Sequence, residues 1–280
     1  MSFKPFSLLI KGTLHTFESP AIMGILNLTP DSFYAQSRLN EEALLARVQQ
    51  MIHEGADILD IGGQSTRPGA ERLSAAQEWE RLEGVFESIH HHFPNVITSI
   101  DTFYGEVAAK AIARGAGIIN DVSAGSIDST IIAVAMQHHT PYVIMHMQGE
   151  PQTMQLQPEY IDVVQELIYF FSEKINALQS KGMVDLILDP GFGFGKKREH
   201  NYETLAHLKS FDILNKPILI GVSRKKMIQM VTDKDSEGAL AGTIAANTFA
   251  LLNGASILRV HDVAAAADAR SIVLELSKHK

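Results

Sequence analysis

The most regular feature of this sequence is an apolar run of strand length that ends in a polar residue beside Gly, Pro or Ser. The pattern occurs eight times, with endings at Asn27, Asp60, Asp101, Asn120, His146, Asp189, Ser223 and Arg259. From the first ending to the last, the chain runs 232 residues in seven intervals of about 33 residues, close to the ~31 residues of one strand and helix unit in a (β/α)8 barrel. We therefore predict an α/β fold, a single (β/α)8 TIM barrel, in which the carboxyl ends of the strands bring all eight polar residues to one mouth.

Stretches with helical spacing separate the predicted strands. Between Asn40 and His53 the apolar residues fall on one stripe, with Asn40 as the expected N-cap and Gly55 as the left-handed stop. A second helix is predicted over residues 237–253, ahead of a strand over 256–260. An open, doubly wound sheet would also have apolar strands, but it concentrates its site at one switch point. Polar endings on all eight strands favour the closed barrel.

The overall composition indicates what class of protein this is. With 280 residues, 45% of them apolar and 20% charged, the chain is typical of a globular protein. We expect one domain over residues 1–280, with a short N-terminal β-hairpin over 1–19 and the barrel over 20–280. The net charge of −8 argues against a nucleic-acid partner, and no apolar run reaches the ~18 residues of a membrane span. The chain has no Cys, which excludes disulfides and thiolate catalysis, and the lack of an export signal makes the cytoplasm the expected location.

The segment ILDPGFGFGK is the strongest single candidate for a binding site. A structural turn needs one or two glycines, whereas Gly191, Gly193 and Gly195 occur at alternate positions between Asp189 and Lys196. This spacing favours a backbone that passes close to a flat ligand. It does not match the spacing of the dinucleotide-binding or P-loop motifs.

Two further loops carry candidate groups for phosphate and metal. IGGQSTRPG follows Asp60 and offers hydroxyls, two glycines and Arg67, whose fork geometry suits phosphate oxygens; the alternative is a flexible loop with Arg67 in solvent. ILNLTPDSF places Asn27 at the first strand end and Asp31 just beyond it. Their side-chain oxygens suit Mg2+, and the segment is equally typical of a turn before a helix.

Cations gather at the ends of the seventh and eighth strands, where barrels frequently bind phosphate. The segments GVSRKK and RVHD supply Ser223, Arg224, Lys225, Lys226, Arg259, His261 and Asp262. In an acidic chain this concentration favours an anion site, with Asp262 either orienting His261 or capping the next helix. Deeper in the mouth, Asp101, Asn120 and Asp189 would present donors and acceptors to a heterocycle.

Other conspicuous residues have a structural interpretation. His90, His91 and His92 precede Pro94 and a strand start, which is the wrong rim of a barrel for catalysis. We therefore expect a solvated helix end there rather than a metal site. Trp79 lies in a helical stretch and is expected to pack in the core.

Eight motifs occur in order between about residues 20 and 265. They are MGILNLTPDSF, DIGGQSTRPG, SIDT, IINDVSAG, MHMQG, DPGFGFGK, GVSRK and ILRVHDV. Together they closely resemble the dihydropteroate synthase family, a group of TIM-barrel enzymes. The resemblance implies that p-aminobenzoate displaces pyrophosphate from 6-hydroxymethyl-7,8-dihydropterin diphosphate in folate biosynthesis. It also implies Mg2+ as cofactor, a homodimer, and a site that sulfonamides target.

At matching positions, the resemblance implies three groups of site residues. The pterin pocket would comprise Asp101, Asn120, Met145, Asp189, Phe194, Gly221, Lys225 and Arg259. The diphosphate site would comprise Asn27, Thr66, Arg67, Arg259 and His261, with Mg2+ at Asn27. The loops that would exclude water and form the amine pocket hold Phe33, Pro68 and Ser223. The groups expected to act in catalysis are Asn27, Arg67, Lys225, Arg259 and His261.

The chain departs from the family pattern at four positions outside the core pterin contacts. These are Ala35, where DSFSDGG has Asp; Gln64, where GGESTRPG has Glu; Tyr104, where a Lys follows SIDT; and Lys226, where a Ser commonly follows SRK. Because Ala35 replaces an acid, the main alternative to a synthase is a non-catalytic or altered-specificity pterin-binding paralogue. A methyltetrahydrofolate methyltransferase is a second alternative, which GGQSTRPG and RVHD disfavour because they suit a diphosphate substrate.

Overall fold

The computed structural model describes residues 3–28, 38–64, 72–149 and 158–279. Its strands are β1 (Phe6–Ile10), β2 (Thr13–Phe17), β3 (Ala21–Asn27), β4 (Ile58–Gly62), β5 (Ile97–Asp101), β6 (Ile118–Asp121), β7 (Tyr142–Met145), β8 (Leu186–Asp189), β9 (Leu219–Ile220) and β10 (Ile257–Val260). Its α-helices are α1 (Arg38–His53), α2 (Ala75–Leu82), α3 (Val85–His92), α4 (Gly105–Ala113), α5 (Thr130–Gln137), α6 (Val163–Gln179), α7 (Arg198–Ala206), α8 (Lys226–Thr232), α9 (Leu240–Leu252) and α10 (Val263–Ser277), and a 3-10 helix spans Leu208–Leu214. Within the described ranges, no helix is both long and apolar enough to cross a membrane.

The eight parallel strands close into a barrel. β3 to β8 follow one another in sequence order around the sheet, β10 pairs with β3, and β9 pairs with β10. A parallel bridge between Leu188 of β8 and Ile218, beside β9, completes the ring, together with a hydrogen bond from the Leu188 N–H to the Pro217 carbonyl oxygen (2.9 Å). The barrel prediction is confirmed, and the last strand starts one residue later than predicted, at Ile257.

The antiparallel pair of β1 and β2 confirms the predicted hairpin and forms the floor of the barrel. Leu8 and Ile10 are buried in one apolar cluster with residues near the starts of the barrel strands, among them Met23, Ile58 and Ile187. Burial of this apolar surface stabilises the hairpin against the strands. The hairpin thereby covers the amino ends of the strands, and the polar residues remain at the opposite, carboxyl ends.

The first covering helix differs from the prediction at its start. α1 begins at Arg38, so Asn40 lies inside its first turn and the N-cap prediction is wrong. The predicted end is confirmed, because Gly55 adopts φ +99°. Its N–H and that of the next residue bond back to carbonyl oxygens of the last helical turn, which is the Schellman arrangement that favours glycine.

The helix predicted over 237–253 begins three residues late, at Leu240. The Arg224 guanidinium binds the carbonyl oxygens of Ser236 (2.7 Å) and Glu237 (3.1 Å). Because these carbonyls bond to a side chain from another part of the chain, residues 236–239 form a turn ahead of the helix. A tertiary contact therefore sets this boundary.

Trp79 and the three histidines of α3 were predicted to have structural roles, in the core and at a solvated helix end. Trp79 is buried at the core, as predicted. His91 and His92 are exposed at the end of α3, also as predicted. His90 differs, since it is half-buried and its Nε2 forms a hydrogen bond with the Thr98 hydroxyl (3.1 Å).

Candidate active site

The mouth of the barrel is lined by side chains near the carboxyl ends of the strands, most of them polar. The contributing residues are Asp60 on β4, Asp101 on β5, Asn120 on β6, Met145 on β7, Asp189 on β8 and Arg259 on β10. In the register of the sheet, Asp101 is opposite Asn120 and Met145 is opposite Asp189. The fold thus gathers acids, an amide and a cation from distant parts of the sequence.

Arg259 is the centre of this polar group. Its Nε donates to Asp60 Oδ2 (2.6 Å), and its Nη2 donates to Asp101 Oδ2 (2.6 Å). Asn120 Nδ2 donates to the same Asp60 oxygen (2.9 Å). The Arg259 side chain is 19% exposed and that of Asp60 is fully buried. In so desolvated a network, the loss of one member leaves an uncompensated charge.

Asp60, predicted only as a strand ending, belongs to the pocket. β4 continues two residues beyond Asp60, to Gly62, so its carboxylate lies deeper than the rim. A signal for this was present in the sequence. Asp60 comes two residues after Ile58, which belongs to the apolar floor, and residues two apart on a strand share a face.

The protonation of the Arg259 network is set by burial and by opposite charges. Burial raises the pKa of Asp101 to about 7, while the adjacent Arg259 guanidinium opposes that rise. Burial also disfavours the charge of Arg259, but the carboxylates of Asp60 and Asp101 outweigh this effect and raise its pKa. Arg259 therefore remains a fixed cation.

A second acid and cation lie beside this network. Asp189 Oδ1 accepts a hydrogen bond from the Gly191 N–H (2.7 Å), and burial raises the pKa of Asp189 while Lys225 opposes the rise. Lys225 Nζ donates to the Phe192 carbonyl oxygen (2.5 Å) and lies 4.8 Å from the centre of the Phe194 ring. Burial lowers the pKa of Lys225 to about 8, so the ammonium form predominates at pH 7.

Gly221 leaves the space between the two cations open. A Cβ at this position would lie 3.9 Å from Lys225 Nζ and 4.0 Å from Arg259 Cβ. A longer side chain there would extend into the gap between these two groups. Glycine at position 221 is therefore suited to a pocket that admits a ligand between Lys225 and Arg259.

An apolar wall adjoins the polar groups. Met145 forms a buried cluster with Phe103 and Val122, against which the partly buried Phe194 packs. Such a wall suits the faces of a flat ring. Together with acids and amides that can accept and donate at the ring edge, it describes a pocket for a planar heterocycle with amino and N–H groups.

The glycines of the glycine-rich loop are required for a different reason from the predicted one. A Cβ at Gly191 would lie 2.0 Å from the His146 carbonyl oxygen, and one at Gly195 would lie 2.4 Å from the Gln148 carbonyl oxygen. All three glycines of the loop, including Gly193, have positive φ. The close approach is thus to the backbone that follows β7, and the prediction that these glycines serve a ligand is wrong.

His261 and Ser223 join the ends of the last two strand units. The Ser223 hydroxyl lies 3.1 Å from His261 Nδ1 and accepts a hydrogen bond from the His261 N–H (3.2 Å). The carbonyl oxygen of His261 accepts from Arg47 Nη2 (3.2 Å). These bonds fix the backbone of His261 close to the Arg259 network.

Arg224 has a structural role, because its guanidinium is paired with Asp262 and is not available as an anion ligand. It forms a bidentate pair with the Asp262 carboxylate, with Nε to Oδ2 and Nη2 to Oδ1 both at 2.8 Å. Asp262 occupies the N-cap position of α10 without a side-chain capping bond, so the capping interpretation is wrong. Its carboxylate instead binds Arg224, an assignment that the sequence analysis did not make.

The remaining predicted residues are two exposed residues, one buried residue and six that lie outside the described part of the chain. Asn27 is exposed at the end of β3, and Lys226 is exposed as the first residue of α8. Gln64 is buried and its Nε2 donates to Glu78 Oε2 (3.3 Å). The residues outside the described ranges are Asp31, Phe33, Ala35, Thr66, Arg67 and Pro68.

Comparison with known proteins settles the family of this barrel. A family model described as pterin binding enzyme matches residues 23–261. The chain belongs to this family. The dihydropteroate synthase of Haemophilus influenzae is 42% identical to it over 252 residues, which cover 89% of this chain and 91% of that one. The resemblance carried by the eight motifs is confirmed.

Solved structures of the family agree with the fold. Xanthomonas albilineans dihydropteroate synthase with 4-aminobenzoic acid has a TM-score of 0.88 and 40% sequence identity, with 97% of this chain and 98% of that chain covered. Yersinia pestis dihydropteroate synthase in a sulfonamide drug complex has a TM-score of 0.90 and 36% identity, with 98% and 100% covered. The fold of this chain is therefore that of the family.

Proposed function

We propose that the protein is a dihydropteroate synthase, which joins 6-hydroxymethyl-7,8-dihydropterin diphosphate to p-aminobenzoate and releases pyrophosphate. The observation that carries the proposal is the convergence of Asp189, Lys225 and the Arg259 network on one mouth. It occurs in a chain that shares 42% of its aligned residues with a synthase.

The pterin would bind at the buried end of this mouth. The Asp189 carboxylate suits the adjacent amino and ring N–H donors of a pterin edge. Asn120 would add a donor and an acceptor, and the Lys225 ammonium would donate to the ring. The Arg259 guanidinium, held by Asp60 and Asp101, would lie against the flat ring, since guanidinium planes stack on conjugated rings.

The diphosphate would extend from the pterin toward the rim. Arg259 and His261 lie on and just after β10, where they would bind the diphosphate oxygens, with Thr66 and Arg67 assigned to the same end by the resemblance. Fixed donors and positive charge at this point would stabilise the charge that grows on the leaving group.

Asn27 is the residue to which the resemblance assigns Mg2+. Among the described residues, no group of three or more His, Cys, Asp or Glu side chains could hold a metal ion. A single amide oxygen at an exposed strand end nevertheless fits a Mg2+ that takes its other ligands from substrate phosphates and water. When bound there, the ion would neutralise charge on the departing pyrophosphate.

The reaction needs no protein nucleophile. The bond between the pterin methylene carbon and the diphosphate oxygen breaks, and its electron pair leaves with pyrophosphate. The electron-rich dihydropterin stabilises the resulting methylene cation. The p-aminobenzoate nitrogen then forms the new C–N bond and loses one proton to solvent. Ser223, with Phe33 and Pro68 of the loops, would surround the amine and exclude water.

A turnover assay tests this proposal. The protein is incubated with the pterin diphosphate, p-aminobenzoate and Mg2+, and pyrophosphate release is followed. We expect turnover by the wild type and a loss of about 10²–10³-fold in Arg259→Gln, the usual effect of removing a donor to developing charge. Arg198→Gln is the control, because Arg198 is exposed on α7.

The alternative function is that of a non-catalytic or altered-specificity paralogue, which Ala35 favours. Pterin binding without pyrophosphate release would support it and contradict the synthase. In that case, turnover by Ala35→Asp would identify the missing acid as the cause. A change of acceptor would instead be revealed by turnover with other aryl amines.

We also propose that the protein acts in the cytoplasm as a homodimer formed by its last helices. α8, α9 and α10 pack against one another in order and expose the apolar residues Met230, Val231, Phe249, Ile272 and Leu276. Exposed apolar surface of this kind is typical of an interface. Sedimentation velocity should give a dimer for the wild type and a monomer for Phe249→Glu with Ile272→Glu; a wild-type monomer would refute it.

A further inference from the structure

Lys196 is a buried amine that the proposed mechanism does not use, and burial lowers its pKa to about 7. Only 3% of this residue is exposed. Its Nζ lies within hydrogen-bond distance of four acceptors: His146 Nδ1 (2.9 Å), the Gly191 carbonyl oxygen (3.1 Å), the His146 carbonyl oxygen (3.2 Å) and the Phe194 carbonyl oxygen (3.2 Å). An ammonium has three protons to share among them. Lys196 therefore joins the glycine-rich loop to the backbone that follows β7.

The two loop carbonyls bound by Lys196 belong to the same four-residue segment that contacts Lys225. Between Gly191 and Phe194 lies Phe192, whose carbonyl oxygen accepts from Lys225 Nζ. The Phe194 ring lies 4.8 Å from the same Nζ. A displacement of this loop would move both groups that hold Lys225 at the pocket.

His146 completes the arrangement as a neutral acceptor. Burial, with a further contribution from Lys196, lowers the pKa of His146 to about 3. The ring is therefore uncharged at pH 7, and its Nδ1 can accept from Lys196 only in the tautomer that carries the proton on Nε2. The ring also packs edge to face on Phe170, with 4.9 Å between centroids, which fixes its orientation.

We propose that Lys196 and His146 are positioning residues for the pterin pocket, because they hold the glycine-rich loop in the place that sets Lys225 and Phe194. Neither residue is expected to touch the substrate. The inference rests on the proposed function, since it supposes that Lys225 and Phe194 bind a pterin.

The test measures pterin binding directly and compares isosteric substitutions. Isothermal titration calorimetry with 6-hydroxymethylpterin gives the Kd, and thermal unfolding gives the stability of the same samples. We expect Lys196→Met to weaken binding about tenfold, the effect of one lost interaction of about 1.4 kcal/mol, and Lys196→Arg to recover part of it. Lys209→Met is the control, since Lys209 is exposed.

Two variants of His146 provide a second test. In His146→Asn the side-chain oxygen can take the place of Nδ1, whereas in His146→Gln it lies nearer the place of Nε2. Both variants lose the contact with Phe170, so their comparison isolates the acceptor for Lys196. We expect His146→Asn to bind the pterin with nearly the wild-type Kd and His146→Gln to bind it about tenfold more weakly.

The outcomes separate this inference from the proposed function. A wild type that does not bind the pterin refutes the proposed function. A wild type that binds, together with folded Lys196→Met at an unchanged Kd, overturns the inference. If Lys196→Met does not fold, equal Kd values for His146→Asn and His146→Gln overturn it, and unequal values in the expected order support it.

Discussion

Replacing Glu78 with Gln should remove a strong pH dependence of stability. Glu78 lies on α2 and is fully buried, and its Oε2 accepts from Gln64 Nε2 (3.3 Å). Burial is the largest cause that raises its pKa from 4.5 to about 8, and the Asp101 carboxyl adds to the rise. The folded protein therefore holds a proton on Glu78 at pH 7, where the unfolded chain has lost it.

The sign and size of the effect follow from this difference in pKa. An acid whose pKa is higher in the folded state binds more protons there, so the free energy of unfolding falls as the pH rises from about 4.5 to about 8. The slope is about 1.4 kcal/mol per pH unit. At pH 7, about 2.5 units above the unfolded pKa, the wild type has lost about 3 kcal/mol relative to acidic pH. The amide of the Glu78→Gln variant cannot titrate, so this variant should not show the loss.

Urea unfolding followed by circular dichroism at several pH values measures the effect. The difference in free energy of unfolding, Glu78→Gln minus wild type, should grow steadily between about pH 5 and pH 8. Glu80→Gln is the matched control, because Glu80 is exposed on the same helix. A difference that stays constant over this range would show that Glu78 is ionised in the folded protein and would refute the reasoning.

Two further predictions concern the glycine-rich loop and the acceptor. Gly191→Ala places a Cβ 2.0 Å from the His146 carbonyl oxygen at a residue with positive φ and should lower the free energy of unfolding by about 3 kcal/mol in urea titrations. Gly182→Ala, also at positive φ but with nothing within 4 Å, should cost only about 1 kcal/mol, and equal losses would contradict the steric argument. Lys226→Ser should raise the KM for p-aminobenzoate about fivefold if the exposed Lys226 pairs with the acceptor carboxylate; unchanged p-aminobenzoate and sulfonamide constants would exclude that pairing.

The strand pattern could be predicted from the sequence because parallel strands covered on both faces are continuous apolar runs. Asn27, Asp101 and Asp189 are the last residues of their strands, as the apolar runs predicted. The ends of such runs coincide with the mouth because the carboxyl ends of all the strands of a barrel meet at one face. The closure of the barrel followed from the number and spacing of the units rather than from any single residue.

The pairings within the site could not be predicted in the same way. Arg259 and Asp60 are 199 residues apart, and no local pattern records that one guanidinium would reach two strands. The contacts of Arg224 with the Ser236 and Glu237 carbonyl oxygens, which precede α9, likewise form only in the folded chain. The glycines of the loop were recognised as unusual, but the group they approach, the backbone after β7, could be identified only from the fold.

The floor formed by the β1–β2 hairpin has a practical consequence for handling the protein. Because β1 and β2 pack against the amino ends of the barrel strands, an affinity tag or carrier fused ahead of β1 would lie at the end of the barrel opposite the polar mouth. Deleting the first nineteen residues would instead uncover Met23, Ile58 and Ile187 to water, and the shortened chain should be prone to aggregate.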